Sequence, residues 1–161
     1  MSEDLDDMYR DIILDHYRSP RGKKPLEKAD IMSEGSNPSC GDEIDLQVEM
    51  RDGAVADVHV GCQGCAISVA SASMLAEASK GMSLPELKKL AAAVRETLKG
   101  ESDCIPKQFE DLEALKGVKQ FPVRIKCALL AWVTLIEGIE NFENGRISSK
   151  DISKSSTEET A

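Results

Sequence analysis

The stretch IDLQVEMRDGAVADVHV, residues 44–60, decides the fold of this 161-residue chain. Apolar and polar side chains alternate through its first half, and the alternation resumes after Asp52-Gly53. A period of two sends alternate side chains to opposite faces of a strand, and Asp-Gly is a favoured hairpin turn. The sequence therefore predicts an antiparallel hairpin with one solvated face, with Ala54 and Ala56 on the apolar face and Val55 on the solvated one.

The segments on either side of this hairpin predict helices and one more strand. Residues 28–34 are expected to add the strand, while apolar side chains recur at helical spacing from Leu5 to His16. Further helices are predicted over residues 66–79, 84–99, about 109–115 and from about 122 onward. The expected fold class is α+β, a small antiparallel three-stranded sheet with helices packed on one face. Residues 1–146 are predicted to form a single domain, and residues 147–161 a disordered polar tail.

Composition restricts the partners and the compartment. A net charge of -9 and a pI near 4.8 argue against nucleic acid, whose phosphates require clustered Lys and Arg. No window approaches the roughly 20 apolar residues of a membrane span, and no signal peptide is recognisable, so we expect a cytoplasmic protein without a membrane partner. In reducing cytosol, five cysteines favour metal binding or sulfur chemistry over disulfides.

Three cysteines and one carboxylate form a candidate metal site. Cys40 and Asp42 are separated by one glycine, and Cys65 and Cys127 each lie near the start of a predicted helix. Thiolate sulfur selects zinc or iron–sulfur clusters over hard cations, and a carboxylate completes four-coordination as a weaker ligand. These four residues are therefore predicted to hold zinc, or alternatively iron or a transient [2Fe-2S] cluster.

The positions of two of these thiols predict thiolate character. Unpaired N–H groups at the start of a helix stabilise the thiolate form of a nearby cysteine, and Cys65 and Cys127 both lie near such a start. Arg124 and Lys126 flank Cys127 and add positive charge, which would also attract an anionic sulfur species. We therefore expect lowered thiol pKa values.

The remaining cysteines and histidines leave alternatives open. Cys62 forms a C-x-x-C with Cys65, which suits metal or redox chemistry, although a thioredoxin-like site needs a βαβ context. Cys104 is expected to be a small structural side chain. His16 lies on the apolar stripe of the first helix and is expected to be structural. His59 is predicted on the solvated face, with approach to the metal as the alternative.

Four motifs occur in order along residues 5–143. They are Ile13-Leu14-Asp15-His16-Tyr17, Asn37-Pro38-Ser39-Cys40-Gly41-Asp42-Glu43-Ile44, Gly64-Cys65-Ala66-Ile67-Ser68 with Ala70-Ser71-Ala72-Ser73, and Val123-Arg124-Ile125-Lys126-Cys127-Ala128. Together they resemble the IscU/NifU-N scaffold family of iron–sulfur cluster assembly. Two details resemble its SufU branch: Lys126 stands where IscU-type scaffolds have a histidine, and residues 100–117 are similar to the SufU insertion.

The resemblance implies a SufE/NifU-like fold and a ligand set of Cys40, Asp42, Cys65 and Cys127. Cys62 departs from the pattern, and it either exchanges with Cys65 or protects it. The implied function is zinc-dependent sulfur transfer, in which the protein accepts sulfur from a SufS-type cysteine desulfurase, with Cys127 as the expected acceptor. The first helix and the basic turn at residues 18–24 are the expected docking surface.

Two alternatives remain. One is a non-enzymatic scaffold that builds a [2Fe-2S] cluster and hands it to apo iron–sulfur proteins or other assembly factors. The other is a structural zinc module, in which the metal only stabilises the fold.

Overall fold

The computed structural model describes residues 3–145 and 153–156, with side chains for residues 8–145. The predicted α+β fold class is confirmed. In chain order the elements are α1 (Glu3–Arg18), β1 (Ile31–Asn37), β2 (Asp42–Arg51), β3 (Ala54–Gln63), α2 (Ala66–Ser79), α3 (Leu84–Leu98), α4 (Glu110–Glu113), a 3-10 helix (Ala114–Gln120), α5 (Pro122–Glu143) and β4 (Ser153–Ser156).

The sheet has the strand order β3-β2-β1-β4. The first three strands pair antiparallel as predicted, and β4 pairs parallel with β1. An edge strand offers unpaired N–H and C=O groups, and β4 satisfies some of those of β1. The disordered tail expected over residues 147–161 stays a prediction: the structure describes only these four of its residues, and the rest lie outside the described residues.

A β-bulge corrects the predicted facing of β3. Glu49 pairs with Asp57 but Met50 pairs with Val55, so Ala56 is the extra residue. The bulge reverses the alternation beyond it: Val55 is buried in the core, whereas Ala54 and Ala56 are half-buried. Strict period-two alternation could not reveal this shift.

The core lies between the sheet and the helices, where α2 and α5 pack closely. Small side chains along α2 permit this approach. Trp132 of α5 is fully buried, and its indole Nε1 donates to Ser71 Oγ at 3.0 Å. Ser71 in turn donates to the carbonyl oxygen of Ala128 at 2.6 Å. This chain of hydrogen bonds fixes α2 against the helix that carries Cys127.

Local signals set the helix starts. Ser83 and Glu86 form the predicted capping box before α3, with each side chain bonded to the other's backbone N–H. Phe121 is the N-cap of α5, and Pro122 is its first residue. Proline is well tolerated there, because the backbone N–H that it lacks would have no hydrogen-bond partner within the helix. Together with α2, which begins at Ala66, these starts place two of the predicted ligands near helix N-termini.

Candidate metal centre

A tight turn positions the first two predicted ligands. The carbonyl oxygen of Asn37 accepts from the N–H groups of Cys40, at 3.1 Å, and Gly41, at 2.9 Å. Gly41 has φ +73°, a left-handed conformation that suits glycine. The turn ends at Asp42, the first residue of β2, so Cys40 and Asp42 lie close together at one end of the sheet.

The other two predicted ligands lie near the starts of helices. Cys65 is the N-cap of α2, and Cys127 lies in the second turn of α5. The Sγ atoms of Cys40 and Cys127 are 3.3 Å apart, and the ligand atoms of these two residues and Asp42 all lie within 4.8 Å of one another. Cys65 lies outside this group of three but contacts it, with its Sγ 3.7 Å from Asp42 Oδ2. The fold therefore brings three of the predicted ligands close together and places the fourth beside Asp42.

This donor set suits a soft metal ion. A tetrahedral zinc site with Zn–S bonds of about 2.3 Å separates its sulfur ligands by about 3.8 Å. The 3.3 Å separation between the Sγ atoms of Cys40 and Cys127 requires only a shift of about 0.5 Å to reach that spacing. When bound, such an ion would be held by Cys40, Asp42, Cys65 and Cys127, and would stabilise their thiolate forms.

Two hydrogen bonds hold the Asp42 carboxylate, which is only 1% exposed. Its Oδ1 accepts from the N–H of Cys65 at 3.0 Å, and its Oδ2 accepts from the Ser68 hydroxyl. Gly64 packs directly against this side chain, where any Cβ would collide with the carboxyl group. Asp42 is thus both buried and oriented toward the thiols.

The prediction of lowered thiol pKa values is wrong for Cys127 in the metal-free site. Cys127 is fully buried, and the loss of hydration raises its pKa well above the ordinary thiol value. The neighbouring thiols Cys40 and Cys65 and the carboxylate of Asp42 act in the same direction. These effects outweigh the helix N-terminus and the nearby cations.

The two predicted supporting cations differ in position. Arg124 is exposed and its guanidinium interacts with the site: the hydrogen bond to Cys127 and the charge of Cys65 raise the Arg124 pKa. Lys126 is half-buried, one residue before Cys127. Arg124 therefore supplies positive charge at the solvent side of the thiols.

The two extra cysteines lie outside the group of three close ligand atoms. Cys62 is half-buried in β3 opposite Ile44, and burial, followed by the charges of Asp42 and Cys65, raises its pKa to about 12. Cys104 is exposed, unlike a packed structural thiol, and its backbone N–H donates to Thr97 Oγ1. Cys62 is near the site but strongly disfavours the thiolate form.

Neither histidine belongs to the thiol site. His16 is structural as predicted: its Nδ1 is 2.7 Å from Ser73 Oγ, and its Nε2 is 2.6 Å from Asp111 Oδ2. His59 is buried, contrary to the solvated position predicted for it. Its Nδ1 is 2.9 Å from the carbonyl oxygen of Gly22, and its Nε2 is 3.2 Å from an Asp45 oxygen.

Sequence reasoning missed two residues of this site. Ser68 was given no role from the sequence, but its hydroxyl bonds to Asp42. Asn37 is buried with its Nδ2 3.8 Å from Cys127 Sγ. The spacing of Ser68, three residues after Cys65 at a helix start, was an available signal, because residues i and i+3 share a helix face.

An apolar groove of about 1230 Å³ opens beside the ligands. Residues of α1, the 3-10 helix and the start of α5 line it, together with Cys40 and Cys65. Phe121 and Val123 are 57% and 62% exposed in its lining, which is unusual for large apolar side chains. The lining carries two arginines and a single acidic residue in a chain of net charge -9.

Replacing Gly64 with alanine is expected to weaken metal binding at least about tenfold, because its Cβ would displace Asp42. Gly61→Ala is the matched control three residues earlier, since its Cβ would meet the far end of the exposed Asp45 side chain. Competition with a chromogenic zinc chelator measures both affinities. Equal affinities for the two variants would argue against Asp42 as a ligand.

Comparison with known proteins agrees with this geometry. The sequence model of the protein family described as the NifU-like N-terminal domain matches residues 8–149 of this chain. The zinc-dependent sulfurtransferase SufU of Bacillus subtilis is 38% identical over 141 residues, which cover 88% of this chain and 95% of that protein. The iron–sulfur cluster assembly scaffold protein IscU of Thermotoga maritima is 36% identical over 135 residues, which cover 84% of this chain and 94% of that protein.

A solved structure extends the likeness to the fold. The N-terminal part of a NifU-like protein from Brucella abortus superposes with a TM-score of 0.78 at 25% identity, covering 87% of this chain and 97% of that one. The chain therefore belongs to the NifU-like N-terminal domain family, which includes the IscU and SufU proteins. Among the described helices, none is both long and apolar enough to span a membrane.

Proposed function

We propose that this protein is a zinc-dependent sulfur acceptor of iron–sulfur cluster biogenesis that works with a SufS-type cysteine desulfurase. The observation that carries this proposal is the gathering of three thiols and one buried carboxylate beside an open groove. The likeness to a zinc-dependent sulfurtransferase along most of the chain supports it. Cys40, Asp42, Cys65 and Cys127 are the proposed metal ligands.

Burial favours Cys40 as the sulfur acceptor over Cys127, which the sequence had favoured. Cys127 is 0% exposed, whereas Cys40 and Cys65 are part-exposed and line the groove. Of these two, Cys65 is held through its Sγ by Asp42 and Ser68. A persulfide sulfur on another protein can reach only an accessible thiol. We therefore assign acceptance to Cys40, and we assign Cys127 to holding the metal.

The transfer step is a thiol exchange. The Cys40 thiolate attacks the outer sulfur of the desulfurase persulfide, Cys–S–SH. A new S–S bond forms on Cys40, the S–S bond of the desulfurase breaks, and the electron pair leaves with the desulfurase thiolate. That thiolate takes up the proton that Cys40 gave up, so no net oxidation occurs. Arg124, which faces the thiols, stabilises the anions in this step.

The apolar groove is the proposed docking surface for the desulfurase. Any protein that delivers sulfur to Cys40 must cover the groove, because Cys40 is part of its lining. Residues Tyr9, Ile13 and Leu14 of α1 contribute to it, in agreement with the expected role of the first helix. The basic turn is a weaker candidate, because Arg21 already forms ion pairs with Asp15 and Glu77.

A second candidate function is a scaffold that builds a [2Fe-2S] cluster and hands it to an apo protein. Similarity to IscU scaffolds favours it, since the same thiols could hold the cluster as cargo. Lys126 in place of the histidine of IscU-type scaffolds favours sulfur transfer instead. A purely structural zinc module is the third candidate, but an open groove beside the ligands is not expected of such a site.

Zinc-dependent stimulation of a desulfurase separates these functions. The protein is purified without added metal, analysed for zinc and iron, and mixed with a SufS-type desulfurase and cysteine. Bound zinc and faster alanine release, lost after chelation and restored by zinc, are expected. Absence of stimulation, together with a reconstituted cluster that transfers to an apo acceptor, would favour the scaffold. Unfolding of the chelated protein would favour the structural module.

A further inference from the structure

We propose that Ser68 is a positioning residue that holds Asp42 in its metal-binding orientation, an inference that rests on the proposed function. Ser68 lies on α2, one turn after Cys65, and is 2% exposed. Its hydroxyl touches three of the four proposed ligand residues: Asp42 Oδ2, Cys65 Sγ at 3.5 Å and the carbonyl oxygen of Cys127 at 3.3 Å.

The direction of the hydrogen bonds makes Asp42 the target. A serine hydroxyl has one proton, and Asp42 Oδ2 is the nearest of its acceptors. The other carboxylate oxygen accepts from the Cys65 N–H, so the carboxyl group is held at both ends. A buried carboxylate without one of these donors is costly and free to turn about its Cβ–Cγ bond.

This arrangement has a consequence for the metal. Partners of metal-ligating carboxylates fix their orientation, and their loss typically lowers metal affinity about 10-fold to 100-fold. The Ser68 hydroxyl provides this fixation for the one oxygen ligand of the site. It thereby sets how firmly Asp42 binds beside three thiolates.

The experiment compares Ser68→Ala with Ser71→Ala. Both serines are buried on α2 and both contact a carbonyl oxygen of α5, but Ser71 bonds to Ala128 and Trp132 and not to Asp42. Zinc affinity is measured by chelator competition, and coordination is followed by the absorption spectrum of the cobalt-substituted protein. Ser68→Ala should lower zinc affinity about 10-fold and alter the cobalt spectrum. Ser71→Ala should lower the stability of the fold but leave the zinc affinity and the cobalt spectrum unchanged.

A double-mutant cycle shows whether Ser68 acts through Asp42. In an Asp42→Ala background, Ser68→Ala should change zinc affinity by less than about twofold, because the group it positions is gone. Ser68→Thr, which keeps the hydroxyl, should restore affinity; Ser68→Gly replaces the alanine variant if the latter does not fold. Unchanged zinc affinity in Ser68→Ala, or an equal loss in both backgrounds, would overturn the role of Ser68. Failure of the unaltered protein to bind zinc would overturn the proposed function instead.

Discussion

Replacing Cys40 with serine is expected to reduce desulfurase stimulation to the rate of the desulfurase alone. Cys40 is the proposed nucleophile, and a serine hydroxyl at neutral pH does not form the anion that attacks a persulfide. The effect is expected even where zinc remains bound, because Asp42, Cys65 and Cys127 are unchanged. The measurement is the initial rate of alanine release from cysteine, with zinc content determined on the same sample.

Three other cysteine variants are the controls. Cys62→Ser and Cys104→Ser should keep most of the stimulation, because neither thiol is a proposed metal ligand and neither lines the groove. Cys127→Ser should lose zinc and stability, since it places a hydroxyl in a fully buried position. A Cys40→Ser protein that still stimulates the desulfurase, next to an inactive but zinc-loaded Cys127→Ser protein, would return the acceptor role to Cys127.

Replacing Phe121 with aspartate should weaken docking of the desulfurase by about 2 kcal/mol, or roughly thirtyfold in the concentration that gives half-maximal stimulation. Phe121 is 57% exposed in the groove, and exposed aromatic side chains of this kind commonly anchor protein interfaces. The fold should not suffer, because Phe121 is the N-cap of α5 and aspartate is a favourable N-cap residue. The maximal stimulation at saturation should be little changed.

Met8→Asp is the matched control for this variant. Met8 is also a large exposed apolar side chain, near the start of α1, but it is not part of the groove lining. Its replacement should leave the half-maximal concentration unchanged. Equal effects of the two substitutions would indicate a general loss of surface apolarity and would argue against the groove as the docking surface.

The sequence predicted the elements of this fold better than their details. The alternation in residues 44–60 and the capping signal at Ser83 were local, and both gave the correct elements. The bulge opposite Met50 depends on pairing between two strands, which no single strand encodes, so the facing of Val55 was wrong. The pairing of β4 with β1 is likewise a contact between distant segments.

For the candidate metal site, too, the identity of the residues was predictable from the sequence and their surroundings were not. Residue type and motif were enough to nominate Cys40, Asp42, Cys65 and Cys127, because soft-metal ligands are chemically distinctive. Burial was not predictable, since it depends on how α5 packs, and it reversed the expected pKa of Cys127. Ser68 is chemically ordinary, and its spacing from Cys65 was a weaker signal than its hydrogen bond to Asp42 in the structure.

The most direct test of the central claim is to locate the transferred sulfur. The zinc-loaded protein is mixed with persulfide-charged desulfurase without free cysteine, the thiols and persulfides are alkylated, and the peptides are analysed by mass spectrometry. One additional sulfur atom on the peptide that contains Cys40 is the predicted result. Sulfur on a peptide that contains Cys62, Cys65 or Cys127, or none on this protein, would contradict the account.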